Sequence, residues 1–466
     1  MSNPDGSTSH KPHTIKRGLN FIDLWSIGVG ALVGGGIFTV IGPALNETGP
    51  SLFIAFLIAG LLAIFSSMSY AELASNWPYQ GASYVYSKYA FYPISKDLSK
   101  LVALWCSGLY FLSFSFAAGA VNLGFAGYLT FLFPNIPAYI SGPILSIIIT
   151  ALLLFGISFT GKINSVLSII QIVSLFIIAF ITISNNPSGP FDYSSFFENG
   201  ITGLLAAVAL IAFGQMQVEA VLTMGEEAKK PKVNLPFAQI SALVTVVFLY
   251  ILTGYGVVSS TPIEDLASSS APLALAVENL MPHYGPILIV IAALTATATS
   301  TIGCLLGSSR MLYAGARENA FPLIFAKLSK NGVPYMAVLA TGGIALIATF
   351  ASLFGYAEVL NILISAAVFA NWFMMILMNI ALIIVRKQRP DLKPKFRYPI
   401  NINNIPVLAI VAIIGCLIII TYINLIAIFI GIVWLLLLTV WYFIYARKRW
   451  NFLTSEDMEN IIKKAE

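Results

Sequence analysis

The chain has 466 residues, of which 58% are hydrophobic and only 10% charged, with a formal net charge of +5. Soluble chains carry about 25% charged residues, and a mean hydropathy of +0.86 leaves too little polar surface to cover this body in water. Composition therefore excludes an ordinary soluble enzyme or a nucleic-acid module and points to a chain whose solvent is lipid.

Residues 1–18 are polar, with no apolar stretch of signal-peptide length, and read as an N-terminal tail. About 20 predominantly apolar residues cross the hydrocarbon as a helix. Twelve such segments follow, at 21–43, 51–76, 101–132, 138–158, 163–184, 202–225, 237–259, 286–312, 335–354, 359–385, 405–422 and 424–446. Their length and their Leu, Ile and Phe content favour helices over barrel strands.

Charge tests the count. Lys and Arg favour cytoplasmic loops. With the N-terminus inside, all 25 Lys and Arg residues fall on the cytoplasmic side. They cluster at Lys11, Lys16 and Arg17, at Lys229, Lys230 and Lys232, from Arg386 to Arg397, and from Arg447 to Arg449. The opposite connections carry Asp192, Glu198, Glu264, Asp265 and Glu278 instead. One missed span would scramble this alternation, so a multi-pass protein with both ends in the cytoplasm is expected. Orientation already accounts for the net charge, and no nucleic-acid partner is needed.

The first span contains "IGVGALVGGGIF", Ile27–Phe38. Glycine inside a helix costs about 1 kcal/mol relative to alanine. Gly30 and Gly34, four apart, suit close helix packing. Packing does not explain Gly34, Gly35 and Gly36 in a row, which point in different directions around a helix. An unwound stretch does, and unpaired backbone at membrane depth is tolerated where it faces protein or water. A half-helix starting near Gly36 would offer free N–H groups and a positive dipole end to a carboxylate. Transporters with inverted repeats use two such helices in matched positions. The sixth span, "ALIAFGQMQVEAVLTMGEE", places Gly214, Gln215, Gln217 and Glu219 amid apolar residues, where polar groups mark function or an interhelical hydrogen-bond cluster.

These residues resemble the amino acid–polyamine–organocation permeases. Gly28–Phe38 looks like their first-helix pattern G-x-G-A-x-x-G-x-G-I-F, and "FGQMQVEAVLTMGEEAKKPKVNLP" resembles their sixth-helix segment. "PYQGASYVYSKYAF", "GSSRMLYAGARENAFP" and "RPDLKPKFRYPI" are similar to the blocks after helices 2, 8 and 10. The five blocks occur in family order over nearly the whole chain. The resemblance implies an all-helical, LeuT-like bundle of twelve transmembrane helices with discontinuous helices 1 and 6. One repeat would occupy 19–200 and its inverted copy 201–400, with helices 11 and 12 in 401–448 and a cytoplasmic tail in 449–466. It implies amino acid transport across the cell membrane by alternating access. The substrate carboxylate would sit on N–H groups of Val33, Gly34, Gly35, Gly36 and Ile37, and the ammonium near the carbonyls of Phe213, Gly214 and Met216. Phe213 would gate the site, unless it is an ordinary apolar residue. The sequence departs from the family at Gln217, usually Gly, and at Gly35, usually Ser or Thr. Gln215 or Gln217 would therefore contact a polar substrate group or serve packing.

Proton-coupled relatives place a lysine on helix 5 where "GKINSVLSIIQIVSLF" has Gln171, which cannot titrate. Ala296, Thr299 and Ser300 match the arrangement with which sodium-coupled relatives hold the ion, or else the two hydroxyls satisfy helix carbonyls. Exchange or facilitated uptake is expected ahead of sodium coupling, with a sodium- or proton-coupled symporter of another small amine or organic cation as the alternative. No cofactor beyond a possible sodium ion is expected. Glu219 reads as a proton-exchanging group or as a capped structural acid. Asp23 and Glu72, near helix ends, suggest no role. Glu226 and Glu227 would tether the end of the sixth span, and Arg310 and Arg317, seven apart, would anchor an inner gate or the interface.

Other classes lack their residues. His10, His13 and His283 lie outside the spans, and no HExxH or GxSxG motif offers catalytic chemistry. No repeated filter or charged ring marks a channel. Cys106, Cys304 and Cys416 sit in apolar runs and read as buried hydrophobes.

Overall fold

The computed structural model describes residues 18–450 except 80, 156–160, 185–195, 198, 226, 279 and 283, and leaves out the side chains of 161–165 and 218. Nearly all of both expected tails lies outside the described residues, with Lys11, Lys16, Arg17, the three histidines, Asp192, Glu198, Glu226 and the end of the fourth apolar segment.

The first apolar segment folds as two helices, α1 (Phe21–Gly35) and α2 (Ile37–Thr48). Asn20 starts α1: its side chain accepts the N–H groups of Ile22 and Asp23, while Asp23 accepts the Asn20 N–H, a capping box. That is the role of Asp23. Next come α3 (Leu52–Asn76), a short α4 (Ala82–Phe91), α5 (Lys96–Leu132), α6 (Ala138–Leu154) and α7 (Gly161–Ser184). The sixth segment is α8 (Gly200–Ile211) continued by a 3-10 helix, Ala212–Met224. After it come α9 (Pro231–Ser260), two short helices α10 (Ile263–Ser268) and α11 (Pro272–Glu278), then α12 (Gly285–Arg317) and α13 (Tyr335–Phe350). A two-stranded hairpin, β1 (Asn401–Ile402) and β2 (Ile405–Pro406), separates α14 (Tyr356–Gln388) from α15 (Val407–Ile420) and α16 (Leu425–Trp441).

Among the described residues, nine helical stretches are long and apolar enough to cross a membrane; α1, α6 and α15 are shorter and equally apolar. Each of the twelve apolar segments coincides with one of these helices or with an adjoining pair. On α16 the exposed residues Leu425, Phe429, Ile432, Leu436 and Val440 recur at helical spacing, and α7 likewise exposes Ile169, Val173, Phe176 and Phe180. Stripes of this kind are a liability in water and suit a hydrocarbon surround. The interior is the reverse. α5, at 37 residues about 55 Å long, is the most enclosed of the spanning helices and packs on α4, α6, α12, α13 and α14.

Buried charge locks two corners. Glu72 at the end of α3 accepts from Arg386 Nε at 2.9 Å and Nη2 at 2.5 Å, and from the Tyr398 N–H at 2.6 Å. Arg386 also donates to Asn401 Oδ1 and, at 3.2 Å, to the Asn404 carbonyl. Sequence reading gave Glu72 no role because a carboxylate near a helix end is ordinarily hydrated; here the α14–α15 connection folds over it. Elsewhere the buried Lys88 of α4 meets both carboxylate oxygens of Glu318, just beyond α12, at 2.9 and 2.8 Å. Removing one partner of a buried pair strands the other and costs about 3–5 kcal/mol, whereas replacing both with apolar residues is often neutral. Glu72→Met should therefore lower the melting temperature of the detergent-solubilised protein more than Glu72→Met/Arg386→Met does. A double variant less stable than the single would show that the pair itself, rather than stranded charge, carries the stability.

Candidate functional site

The break in the first segment is one residue wide. α1 runs helically through Val33, Gly34 and Gly35, so the N–H groups of these residues belong to a helix rather than to an unwound loop. Only Gly36, with φ −70° and ψ −95°, leaves helical geometry. The three glycines instead do three steric jobs. A Cβ on Gly34 would collide with the Ala296 carbonyl oxygen of α12. One on Gly35 would lie 2.6 Å from Val121 Cγ2 of α5 and 2.7 Å from Ser300 Oγ. One on Gly36 would strike the Tyr250 hydroxyl. Side chains at any of the three would push neighbouring helices out of the break.

Tyr250, on α9, fills the gap. Its hydroxyl donates to the Leu32 carbonyl at 2.8 Å, at the end of α1, and accepts the Ile37 N–H at 3.2 Å, at the start of α2. A helix end leaves its last carbonyls and first N–H groups without intrahelical partners, and this one hydroxyl serves one of each. Sequence reading placed Ile37 in a carboxylate site and missed Tyr250, which lies 213 residues away and is ordinary in its own apolar segment.

The second interruption meets the first. The α-helix of the sixth segment gives way to a 3-10 helix at Ala212, one residue before Phe213. Such runs seldom exceed three or four residues; this one has 13. A Cβ on Gly214 would come within 2.9 Å of Gly36 Cα, so the two backbones touch there. Phe213 and Met216 are fully buried, and the Met216 carbonyl accepts a long bond, 3.5 Å, from Asn371 Nδ2. Gln215 is buried with neither amide atom partnered. Gln217 instead donates to Ser300 Oγ at 3.0 Å and faces Gly35, which joins the two family departures in one place.

The expected coupling positions also come together. Gln171 Nε2 of α7 donates to Thr299 Oγ1 at 3.0 Å, and Thr299 donates to the Ala296 carbonyl at 2.8 Å. Both α12 hydroxyls thus accept from glutamine amides, which occupies oxygens that a sodium ion would need. As arranged, Thr299 and Ser300 do not fit a sodium ion.

On the side of the bundle that carries the basic segments, the ends of α1 and of the 3-10 helix are joined by backbone. Gly18 and Leu19 N–H groups donate to the Glu227 carbonyl at 3.0 and 3.1 Å, and Lys229 N–H donates to the Leu19 carbonyl at 2.8 Å. The Glu227 carboxylate lies 3.8 Å from Arg310 of α12. Glu227 therefore tethers this end as expected, while Arg317 packs its guanidinium over Tyr313 at 5.6 Å rather than joining the contact.

A lipid-facing helical bundle with two interrupted helices touching at its centre is the arrangement of a membrane transporter. A family model described as amino acid permease matches residues 23–454, and the chain belongs to that family of transporters. It is similar over nearly full length to two proteins of Bacillus subtilis. One is a branched-chain amino acid permease, BcaP, 29% identical over 93% of this chain and 94% of its own. The other is a methylthioribose transporter, 27% identical over 95% and 96%. A vacuolar cationic amino acid transporter 4 of Arabidopsis thaliana is 29% identical over 72% of this chain and 58% of its own length.

Tyr250→Phe keeps the ring and removes the bridging oxygen, leaving a buried carbonyl and a buried N–H without that partner, at about 1–3 kcal/mol each. Its expected effect is a clearly lower melting temperature in detergent. A variant as stable as the parent would show that the hydroxyl is not what holds the break.

Proposed function

We propose that the protein carries amino acids across the cell membrane by alternating access, as a twelve-span transporter with a five-plus-five inverted repeat and both termini in the cytoplasm. The observation that carries this reading is the contact between Gly36 and Gly214, which brings two matched interruptions face to face at the centre of the bundle. The distribution of all 25 cationic residues to one side supports the orientation.

In this reading the substrate carboxylate binds at the start of α2, exchanging with the Tyr250 hydroxyl at the Ile37 N–H. Val33, Gly34, Gly35 and Gly36 present backbone without side-chain bulk beside it. The ammonium group lies against the carbonyls of Phe213, Gly214 and Met216, with Phe213 as the gate and the unpartnered Gln215 available to a polar substrate group. Two of the relatives are named for branched-chain and for cationic amino acids, and one for methylthioribose. With the family, this supports an amino acid as the substrate class and leaves its side chain to the pocket. The decisive test is an uptake panel of labelled amino acids in proteoliposomes. At least one amino acid should exchange against itself, and no uptake or exchange of any amino acid would overturn the proposal.

Coupling follows from Gln171. A glutamine does not titrate, and its hydrogen bond to Thr299 closes the position to a cation, so transport is exchange or facilitated uptake. Burial depresses a lysine pKa enough to bring its titration toward neutrality. Gln171→Lys should therefore introduce a pH dependence of initial uptake that the parent lacks. Accumulation by the parent on an imposed proton gradient alone would contradict this assignment.

A further inference from the structure

On the outer surface of the bundle, α3, α9 and the connection between α14 and α15 enclose a groove of about 480 Å³. Its walls are Met68 of α3, five residues of α9 from Phe237 to Thr245, and Phe396, Arg397 and Pro399 of the connection. Phe237 and Phe396 meet edge to face, their ring centroids 5.6 Å apart, where α9 leaves the basic segment. Along α9 the exposed residues Val233, Phe237, Val244 and Phe248 form an apolar stripe, a surface suited to hydrocarbon. The two hydroxyls in the wall are spent on their own helix. Ser241 Oγ donates to the Phe237 carbonyl at 2.7 Å, and Thr245 Oγ1 to the Ser241 carbonyl at 2.8 Å. The groove therefore presents hydrocarbon along about 12 Å of α9.

Its basic end carries charge of one sign. Arg397 is the one charged residue in the wall; it is exposed, and it donates from Nη2 to a neutral group, Asn404 Oδ1, at 2.8 Å. The Ser75 hydroxyl, at the end of α3, draws two lysines to the same end. It donates to the Lys232 carbonyl at 2.9 Å and accepts the Lys395 N–H at 2.8 Å, and both lysines are exposed. The three elements around the groove contain two acids, and each is already paired: Glu72 with Arg386, and Asp391 with Arg389.

Hydrocarbon along the length and unneutralised cations at one end match an amphiphile with an anionic head. A small soluble anion would meet one surface guanidinium and no polar wall. A zwitterionic lipid would bring its own cation among three others. We propose that this groove binds an anionic phospholipid. An acyl chain lies along α9 between Phe237 and Thr245, the phosphate accepts from the Arg397 guanidinium, and Lys232 and Lys395 supply the surrounding positive field. The site is separate from the break and does not depend on which solute is carried.

The probe is dioleoyl-phosphatidylglycerol, added in low molar excess to the full chain in detergent, with dioleoyl-phosphatidylcholine as its zwitterionic counterpart. Native mass spectrometry counts the lipids held. The parent should retain phosphatidylglycerol in preference to phosphatidylcholine. Arg397→Gln should lower that occupancy about fivefold, and Arg397→Lys should retain it. Val244→Trp, which fills the groove and alters no charge, should lower it as far. Lys448→Gln removes an exposed cation outside the groove and should leave it unchanged. Equal retention of the two lipids by the parent overturns the site. So does a loss in Lys448→Gln as large as that in Arg397→Gln, which would assign the binding to diffuse surface charge. Undiminished binding by Val244→Trp overturns it too, and a dimer that this variant abolishes would give the groove to a second copy of the chain instead.

Discussion

Every backbone donor and acceptor placed away from water must find a partner, and in this protein one hydroxyl meets that demand at the point where a helix is interrupted. Tyr250 spans the Leu32 carbonyl and the Ile37 N–H. The gap it fills is only as wide as a phenolic oxygen, and the local sterics follow from that. Gly36 has no room for a Cβ beside the hydroxyl, Gly214 no room beside Gly36, and Gly34 none beside the Ala296 carbonyl. The glycines are therefore less a flexible hinge than a set of close approaches between α1, α9, α12 and the sixth segment.

The same low-dielectric interior sorts the charged residues. Glu72 and Arg386 lie together with their hydrogen-bonding capacity met by backbone and amide groups, as do Lys88 and Glu318. Such pairs join elements far apart in the chain: α3 to the end of α14, and α4 to the end of α12. Against this pattern Glu219 is the exception, a carboxyl group equally buried that faces the hydroxyls of Tyr70 and Ser83 rather than a cation. The backbone clasp between Leu19 and Glu227 adds a mechanical constraint. The start of α1 is hydrogen-bonded to the end of the sixth segment, so backbone ties together the two chain ends on the basic side of the break.

Much of the architecture was legible in the sequence because membranes impose a simple code. Apolar length marks helices, and the one-sided distribution of Lys and Arg supports an orientation. Among the described residues each of the twelve apolar segments is mainly helical, and the first divides where the glycines cluster. The extent of the break was overestimated: three successive glycines suggested an unwound stretch, whereas α1 holds its helix through Gly35 and yields only at Gly36. Glycine's low helix propensity is a weak prior, and packing on α9 and α12 overrides it. Gln171 and Thr299, and Gln217 and Ser300, were each singled out, but their pairing was not foreseen.

Sequence alone determined the solvent, the helical segments and the neighbourhoods in which two of them depart from α-helix, because these depend on composition and on neighbours within a few turns. Tertiary structure decided what closes the interruption and what the buried acids meet. Tyr250 reaches Ile37 across 213 residues, Arg386 reaches Glu72 across 314, and Glu219 faces the hydroxyls of Tyr70 and Ser83 from two other helices. None of these residues is unusual in its own segment. Hydrogen bonding and charge pairing act over about 3 Å whatever the separation along the chain, so their partners are set by how the helices pack.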